Sequence, residues 1–349
     1  MANHAESYSY PTLSRDEVKA ALGFHGPPRP PLAMSLWHNA ETVAGRVEEW
    51  QTIAAMYPDD CVNSFMAVDY WRAPADDPTY RWAFGNKEKP VDLPIDACPI
   101  ISDWDELTAF LAEFPNPRRA SATDHLARAR AENPDRYILV NWGHYFHQRL
   151  AYLRGIEPLL FDFYDHPNEL RRVMRALLDL YAVWATRAAQ AGADGIWAGD
   201  DLGTQLSLFM RPETFRELYK PFYADLADIL HGAGLDFWLH TCGNITAVLP
   251  DLIEVGVDAV HPIQVGTMDD AYVAEQYGGK IAFWLGMDVQ SVIPFGTPEQ
   301  IREHVANRIR TFYRPEGGLI LAAGNAILRD TPLENVCAYA EALRAPIAK

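Results

Sequence analysis

The sequence predicts an α/β fold built as a single TIM (β/α)8 barrel. Eight short apolar runs recur along the chain, and helical periodicity fills the intervals between them. Alternation of this kind implies parallel pairing through crossover helices. A doubly wound open sheet shares that alternation, but no G-x-G-x-x-G or G-x-x-x-x-G-K-[ST] follows any early run, which weakens its nucleotide-binding version. The 349 residues suit one barrel, read as a single domain over 1–349 with residues 1–30 as an N-terminal extension.

The strands are expected at Leu32–Trp37, Cys61–Val68, Tyr137–Asn141, Gly195–Trp197, Asp236–His240, Ala259–His261, Ile281–Leu285 and Gly318–Ala322. Helices are expected at Asn168–Ala191, Pro212–Ala233, Ile245–Val255 and Pro298–Phe312. Thr297-Pro298-Glu299 sets an N-cap before a first-turn proline, and Arg211-Pro212-Glu213 opens a helix in the same manner. Tyr70–Pro99, after the second strand, is rich in Pro, Asp and Trp and has no period; it reads as a long irregular excursion over one end of the barrel.

The charge balance is 30 Lys+Arg against 47 Asp+Glu, a net −17. No basic stripe is present to neutralise phosphates, so neither a nucleic acid nor an anionic membrane surface is an expected partner. No apolar stretch reaches the ~20 residues that span a bilayer. The start, MANHAESYSYPTLSRDEV, lacks the basic segment and apolar core of a secretion signal. Four scattered cysteines do not form a disulfide framework, and the expected compartment is the cytoplasm. The 10 Trp, 16 Tyr and 15 Phe fit an aromatic core or a lined pocket.

Barrel chemistry sits at the C-terminal ends of strands, and polar groups gather there. They include Trp37-His38, Trp142 to His144, Asp200-Asp201 with Gln205, His240-Thr241-Cys242, His261 with Gln264, Asp288, and Gly324-Asn325. Trp37, His38, Trp142, Gln205, His261, Gln264, Asp288 and Asn325 are candidate substrate-lining groups. Met34, Met66, Met210 and Met287 read as core.

His240 and Cys242 lie one residue apart, so on an extended strand they share a face. Imidazole and thiolate suit Zn²⁺, which in catalytic sites takes three protein ligands and an open position. The same pair would serve equally as buried strand-end residues. Cys61 or Cys98 could add a thiolate if loops bring them near, whereas Cys337 reads as a small core residue in a final helix. Asp200 and Asp201 could divide acid/base and cation-binding work, since neighbouring carboxylates push their pKa values apart. Otherwise Asp201 caps a turn and Asp200 accepts backbone N–H groups. His144 and His147, three apart, could share a helical face as a relay or ligand pair.

From Gly195 to Asn335 the chain resembles the uroporphyrinogen decarboxylase superfamily, TIM barrels that include decarboxylases and corrinoid-linked methyltransferases. The resemblance rests on Gly199-Asp200-Asp201-Leu202-Gly203-Thr204-Gln205, Met210-Arg211-Pro212-Glu213-Thr214-Phe215 and His240-Thr241-Cys242-Gly243-Asn244. It continues through Gly256-Val257-Asp258, His261-Pro262-Ile263-Gln264, Gly286-Met287-Asp288-Val289-Gln290 and Thr331-Pro332-Leu333-Glu334-Asn335, with Tyr152-Leu153-Arg154-Gly155 upstream.

Uroporphyrinogen decarboxylases carry an early Arg-Gln-Ala-Gly-Arg-Tyr-like segment for the substrate's carboxylates; this chain has Leu32-Ala33-Met34-Ser35-Leu36-Trp37-His38 instead. The tetrapyrrole is therefore not the expected substrate. The methyltransferase branch implies zinc on the His-x-Cys and on a later Gly-Cys step, here Gly324-Asn325. Either His261, Asp200 or Asp288 completes the site, or zinc is not bound.

The leading expectation is a corrinoid-linked methyltransferase or O-demethylase-like enzyme acting on a small aromatic or methylated substrate. His240 and Cys242 would hold the metal, Asp200, Asp201 or His144 would handle the proton, and Asn325 would orient substrate. No Asp-x-His-x-x-Gly segment is present, so a separate corrinoid protein would be the partner. The alternatives are a metal-free decarboxylase or lyase acting on a smaller acid, and a non-catalytic ligand-binding barrel. A homodimer is expected from the resemblance.

Overall fold

A computed structural model describes residues 10–38, 43, 45–66, 76 and 99–347. Among the described residues there are seven strands: β1 (Cys61–Phe65), β2 (Tyr137–His144), β3 (Gly195–Gly199), β4 (Asp236–His240), β5 (Ala259–His261), β6 (Ala282–Met287) and β7 (Leu319–Ala323). Within each unit the strands pair in chain order, with helices between successive strands. Two compact units are distinguished, Met1–Val62 with Asp135–Tyr137 and Ala259–Lys349, and Asn63–Pro134 with Ile138–Asp258.

In the second unit β2, β3 and β4 pair in parallel, Leu139 opposite Gly195 and Gly195 opposite Asp236. Every residue of β3 is buried, as a central parallel strand covered on both faces requires. Its crossover helix is Pro167–Gln190, close to the expected range. Leu170, Val173, Met174, Leu177 and Tyr181 recur at helical spacing, each with no exposed surface. Burial contributes about 1.5–3 kcal/mol per large apolar side chain. An exposed ion pair such as Arg175–Asp225 (3.0 Å) is worth at most about 1 kcal/mol, so packing decides where this helix lies.

In the first unit β5, β6 and β7 pair in parallel, Ala259 with Ala282 and Phe283 with Leu319. The helix Pro298–Phe312 begins where expected. Thr297 caps it, its hydroxyl accepting from Gln300 N while Gln300 Oε1 accepts from Thr297 N at 2.8 Å. Residues 10–30 are docked. Helix Arg15–Leu22 starts on a Ser14–Glu17 capping box, and Arg29 pairs with buried Asp60 at 2.7 Å.

Three expected elements differ. Leu32–Trp37 is not a strand. It is reduced to a single parallel bridge from Leu32 to Leu321, with Leu32 O accepting from Asp60 N (2.8 Å) and Cys61 N (3.1 Å). Met34 turns to φ 55°, which ends any extended run. Pro212–Ala233 is interrupted: Phe215–Tyr219 is a π-helical turn in which Lys220 N donates to Phe215 O. Pro221 follows and has no N–H to continue the regular ladder. Ile245–Val255 becomes a short helix, Leu249–Glu254, with Pro250 in its first turn.

Residues 67–75 and 77–98, which hold most of the expected excursion, the last residues of the expected second strand and Cys98, lie outside the described residues. Met34, Met66, Met210 and Met287 are buried, as expected. No helix among the described residues is long and apolar enough to cross a membrane.

Candidate metal and active site

Register brings the site together. Gly199, the last residue of β3, stands opposite His240 on β4 and, after a shift in pairing, opposite His144 on β2. The next two residues are Asp200 and Asp201, and the chain leaving β4 continues through Thr241 and Cys242. Three strand ends of one unit thus present their polar groups at one level.

The loops after β3 and β4 are in backbone contact. Asn244 N donates to Thr204 O (2.8 Å), and Gly203 N to Cys242 O (3.3 Å). A Cβ on Gly203 would lie 2.7 Å from Asn244 N, and one on Gly243, which has φ 87°, would strike the Gly203 carbonyl. Two glycines let the loops close, and closure brings Asp201 to Cys242.

The two aspartates take opposite roles in that packing. Asp200 has no exposed surface; it accepts Gln148 N at 2.7 Å, Phe146 N at 3.1 Å and the hydroxyl of Tyr223. Burial pushes its carboxyl up to about 6 although these donors pull it down, so desolvation wins. Asp201 is partly exposed. Its Oδ1 accepts Cys242 N (2.8 Å), its Oδ2 accepts Gln148 Nε2 (2.9 Å), and Oδ1 stands 3.6 Å from His240 Nε2. His240 Nε2 lies 3.5 Å from Cys242 Sγ. One ligating atom from each of Asp201, His240 and Cys242 falls within 4.8 Å of the others.

That donor set fits zinc: one imidazole nitrogen, one thiolate sulfur and one carboxylate oxygen, three ligands as in catalytic sites. Burial holds His240 below its ordinary pKa against the opposing pull of Asp201, so its ring is neutral at pH 7 and has a lone pair to give. His144, at the end of β2, is pushed down to about 3 by burial and then by His240, and its ring packs 4.7 Å from Tyr152.

Beside His240 and Cys242 the third metal-competent side chain is Asp201, which is not among Asp200, His261 and Asp288, the residues considered for that place. Asp200 is engaged by backbone N–H groups and Tyr223, and His261 and Asp288 belong to the other unit. There His261 Nε2 meets Ala323 O at 2.8 Å with its ring 4.5 Å from Trp284, and Asp288 Oδ1 caps Gln290 N and Ser291 N. His144 and His147 do not share a helical face, because β2 ends at His144 and a helix begins at His147, whose Nδ1 faces Tyr219 OH at 3.2 Å.

The remaining lining candidates fall in both units. Trp142 is wholly buried against Tyr181 and Trp184. Gln205 is exposed in the turn after β3. In the first unit, Trp37 lies 6.1 Å from the His261 ring, His38 stacks on Trp50, Gln264 O accepts from Thr267, and exposed Asn325 accepts Ala326 N. Gln148 and Tyr223 carry no signal in the sequence: a glutamine and a tyrosine inside helical stretches stand out in no pattern.

A family model described as Uroporphyrinogen decarboxylase (URO-D) matches residues 149–346, more than half of the chain. The chain belongs to the uroporphyrinogen decarboxylase family. The match takes in β3, β4 and all three metal-competent residues, while Gln148 lies one residue before it.

Among solved structures, a methyltransferase from Methanosarcina mazei is 17% identical with a TM-score of 0.64, covering 94% of this chain and 97% of its own. At that identity the likeness is one of fold. D-psicose 3-epimerase from Clostridium cellulolyticum H10 is 10% identical with a TM-score of 0.44, covering 85% of this chain and 91% of its own. No curated protein matches the sequence.

Proposed function

We propose that this family member is a methyltransferase-like enzyme of the corrinoid-linked type, acting on a small, methylated, aromatic-compatible substrate in a metal site on Asp201, His240 and Cys242. The observation that carries the reading is the approach of a carboxylate, an imidazole and a thiol at the adjoining ends of β3 and β4. In this reading the sheet is a TIM barrel over the whole chain, with the Leu32 bridge in place of an eighth strand.

Asp201 supplies an oxygen and a negative charge. His240 supplies a neutral nitrogen because burial disfavours its protonated form. Cys242 supplies sulfur, and the N–H it gives Asp201 keeps both on one side. Zinc bound there would acidify a coordinated thiol or water, leaving a nucleophile at neutral pH. Asp200 braces the site by tying helix His147–Arg154 to the loop after β3, and half-buried His144 offers a neutral ring that hydrogen-bonds substrate. The corrinoid belongs to a separate cytoplasmic partner protein, and Asn325 remains a proposed substrate-orienting residue. The protein is further proposed to be a homodimer.

The test is zinc content by inductively coupled plasma mass spectrometry, wild type beside Cys242→Ala, followed by methyl transfer between methylated aromatics and a corrinoid protein. Near-stoichiometric zinc that is lost in the variant supports the reading; zinc-free wild type overturns it. A second reading, a metal-free lyase on a small acid, draws on Asp200, whose carboxyl stands near 6. Carbon dioxide release by zinc-free protein, abolished in Asp200→Asn, would favour it.

A further inference from the structure

We propose that Gln148 is the positioning residue that presents Asp201 to the His240–Cys242 pair, a role that rests on the metal reading above. Gln148 is the second residue of helix His147–Arg154, and among the described residues it alone contacts both carboxylates of the Asp200–Asp201 pair with separate groups. Its backbone N–H donates to Asp200 Oδ1 at 2.7 Å, and its side-chain Nε2 donates to Asp201 Oδ2 at 2.9 Å.

The second bond selects which carboxylate oxygen faces the site. With Oδ2 held by the amide, Oδ1 is left toward Cys242 N at 2.8 Å and His240 Nε2 at 3.6 Å. The amide cannot turn over, because its oxygen would then face the carboxylate, acceptor against acceptor. That orientation carries a cost. Gln148 Oε1 is buried with no hydrogen-bond partner among the described residues, and a buried orphan acceptor destabilises a fold. A side chain kept only for packing would not need to bear it, whereas an apolar residue could fill the space without it.

Gly199 makes room for the arrangement. A Cβ there would lie 2.7 Å from Gln148 Oε1 and no nearer than 3.7 Å to any other group, so the bare backbone at the end of β3 is what admits the amide. Outer partners of this kind fix a ligand's orientation, and their loss typically costs about 10–100-fold in metal affinity.

Zinc alone is the probe, titrated against a competing chelator into wild type, Gln148→Leu, Gly199→Ala, Asp201→Asn and the Gln148→Leu/Asp201→Asn double variant. Gln148→Leu is expected to weaken zinc binding by about 10–100-fold, and Gly199→Ala, which displaces the amide without removing it, to act in the same direction. In the Asp201→Asn background the glutamine substitution should add little, because its effect runs through that carboxylate. Cobalt-substituted Gln148→Leu should keep its thiolate charge-transfer band, since Cys242 remains a ligand.

Unchanged affinity in both Gln148→Leu and Gly199→Ala overturns the role of Gln148 alone, as does full additivity in the double variant. Wild-type protein that binds no zinc overturns this role and the metal reading together.

Discussion

Cys242 donates its backbone N–H to Asp201 Oδ1 at 2.8 Å, and that bond joins the loop after β4 to the loop after β3. A carboxylate that could have faced solvent is thereby turned toward the imidazole of His240, the last residue of β4. Gly203 and Gly243 permit this through backbone contact with the opposite loop.

Cys242→Ala should abolish most zinc binding while leaving the metal-free protein within about 1 kcal/mol of wild type, because the side chain is half-exposed and small. Zinc content and urea unfolding of chelator-treated protein measure the two effects. A large stability loss without bound zinc in the wild type would instead make the pair core packing.

Gly243→Ala should destabilise strongly. A left-handed non-glycine residue costs about 1–3 kcal/mol, and the added methyl also meets the Gly203 backbone. Gly232→Ala is the control: it sits at a helix end with nothing within 4 Å, and its stability should not fall. Equal unfolding midpoints for the two variants would contradict the loop closure described above.

Asp200 should make the protein less stable as pH rises from about 4 to 6. Its folded-state pKa, about 6, lies above its ordinary 3.8, so the folded chain keeps a proton that the unfolded chain has already released. The contribution is complete below pH 4 and lost by pH 6, at about 1.4 kcal/mol per pH unit between. His144, shifted down, has the opposite slope over much of that range, so the measured quantity is the difference between wild type and Asp200→Asn. Parallel stability curves would show that Asp200 does not titrate there.

Thr297→Ala should cost about 1 kcal/mol, within a range of about 0.5–2, by removing the hydroxyl that caps helix Pro298–Phe312. Urea unfolding with unchanged zinc affinity is the expected result, since the cap lies in the unit that does not hold Asp201, His240 and Cys242.

Much of this was legible in the residue order. Apolar runs placed seven of the eight expected strands, because a parallel strand buried on both faces must be continuously apolar. Proline and threonine placed the start of Pro298–Phe312, since capping is local chemistry. The His240–Cys242 pair was visible because alternation on a strand depends only on spacing. The loss of the expected Leu32–Trp37 strand was not, because Met34 adopts a left-handed conformation that its apolar neighbours do not announce. Nor was the break at Phe215–Tyr219, where the loss of Pro221's N–H is absorbed by a wider turn instead of ending the helix.

The sequence by itself determined an alternating α/β chain, an acidic surface, and a histidine and cysteine sharing one strand end. Only the tertiary structure decided between Asp200 and Asp201. Neighbouring carboxylates are equivalent until distant groups meet them: Phe146 N, Gln148 N and Tyr223 claim Asp200, while Cys242 N and the Gln148 amide turn Asp201 toward the metal-competent pair. Those donors lie about 20 to 55 residues away along the chain, and a hydrogen bond acts only over about 3 Å. Such partners are brought into range by the pairing of β2, β3 and β4, which no local pattern encodes.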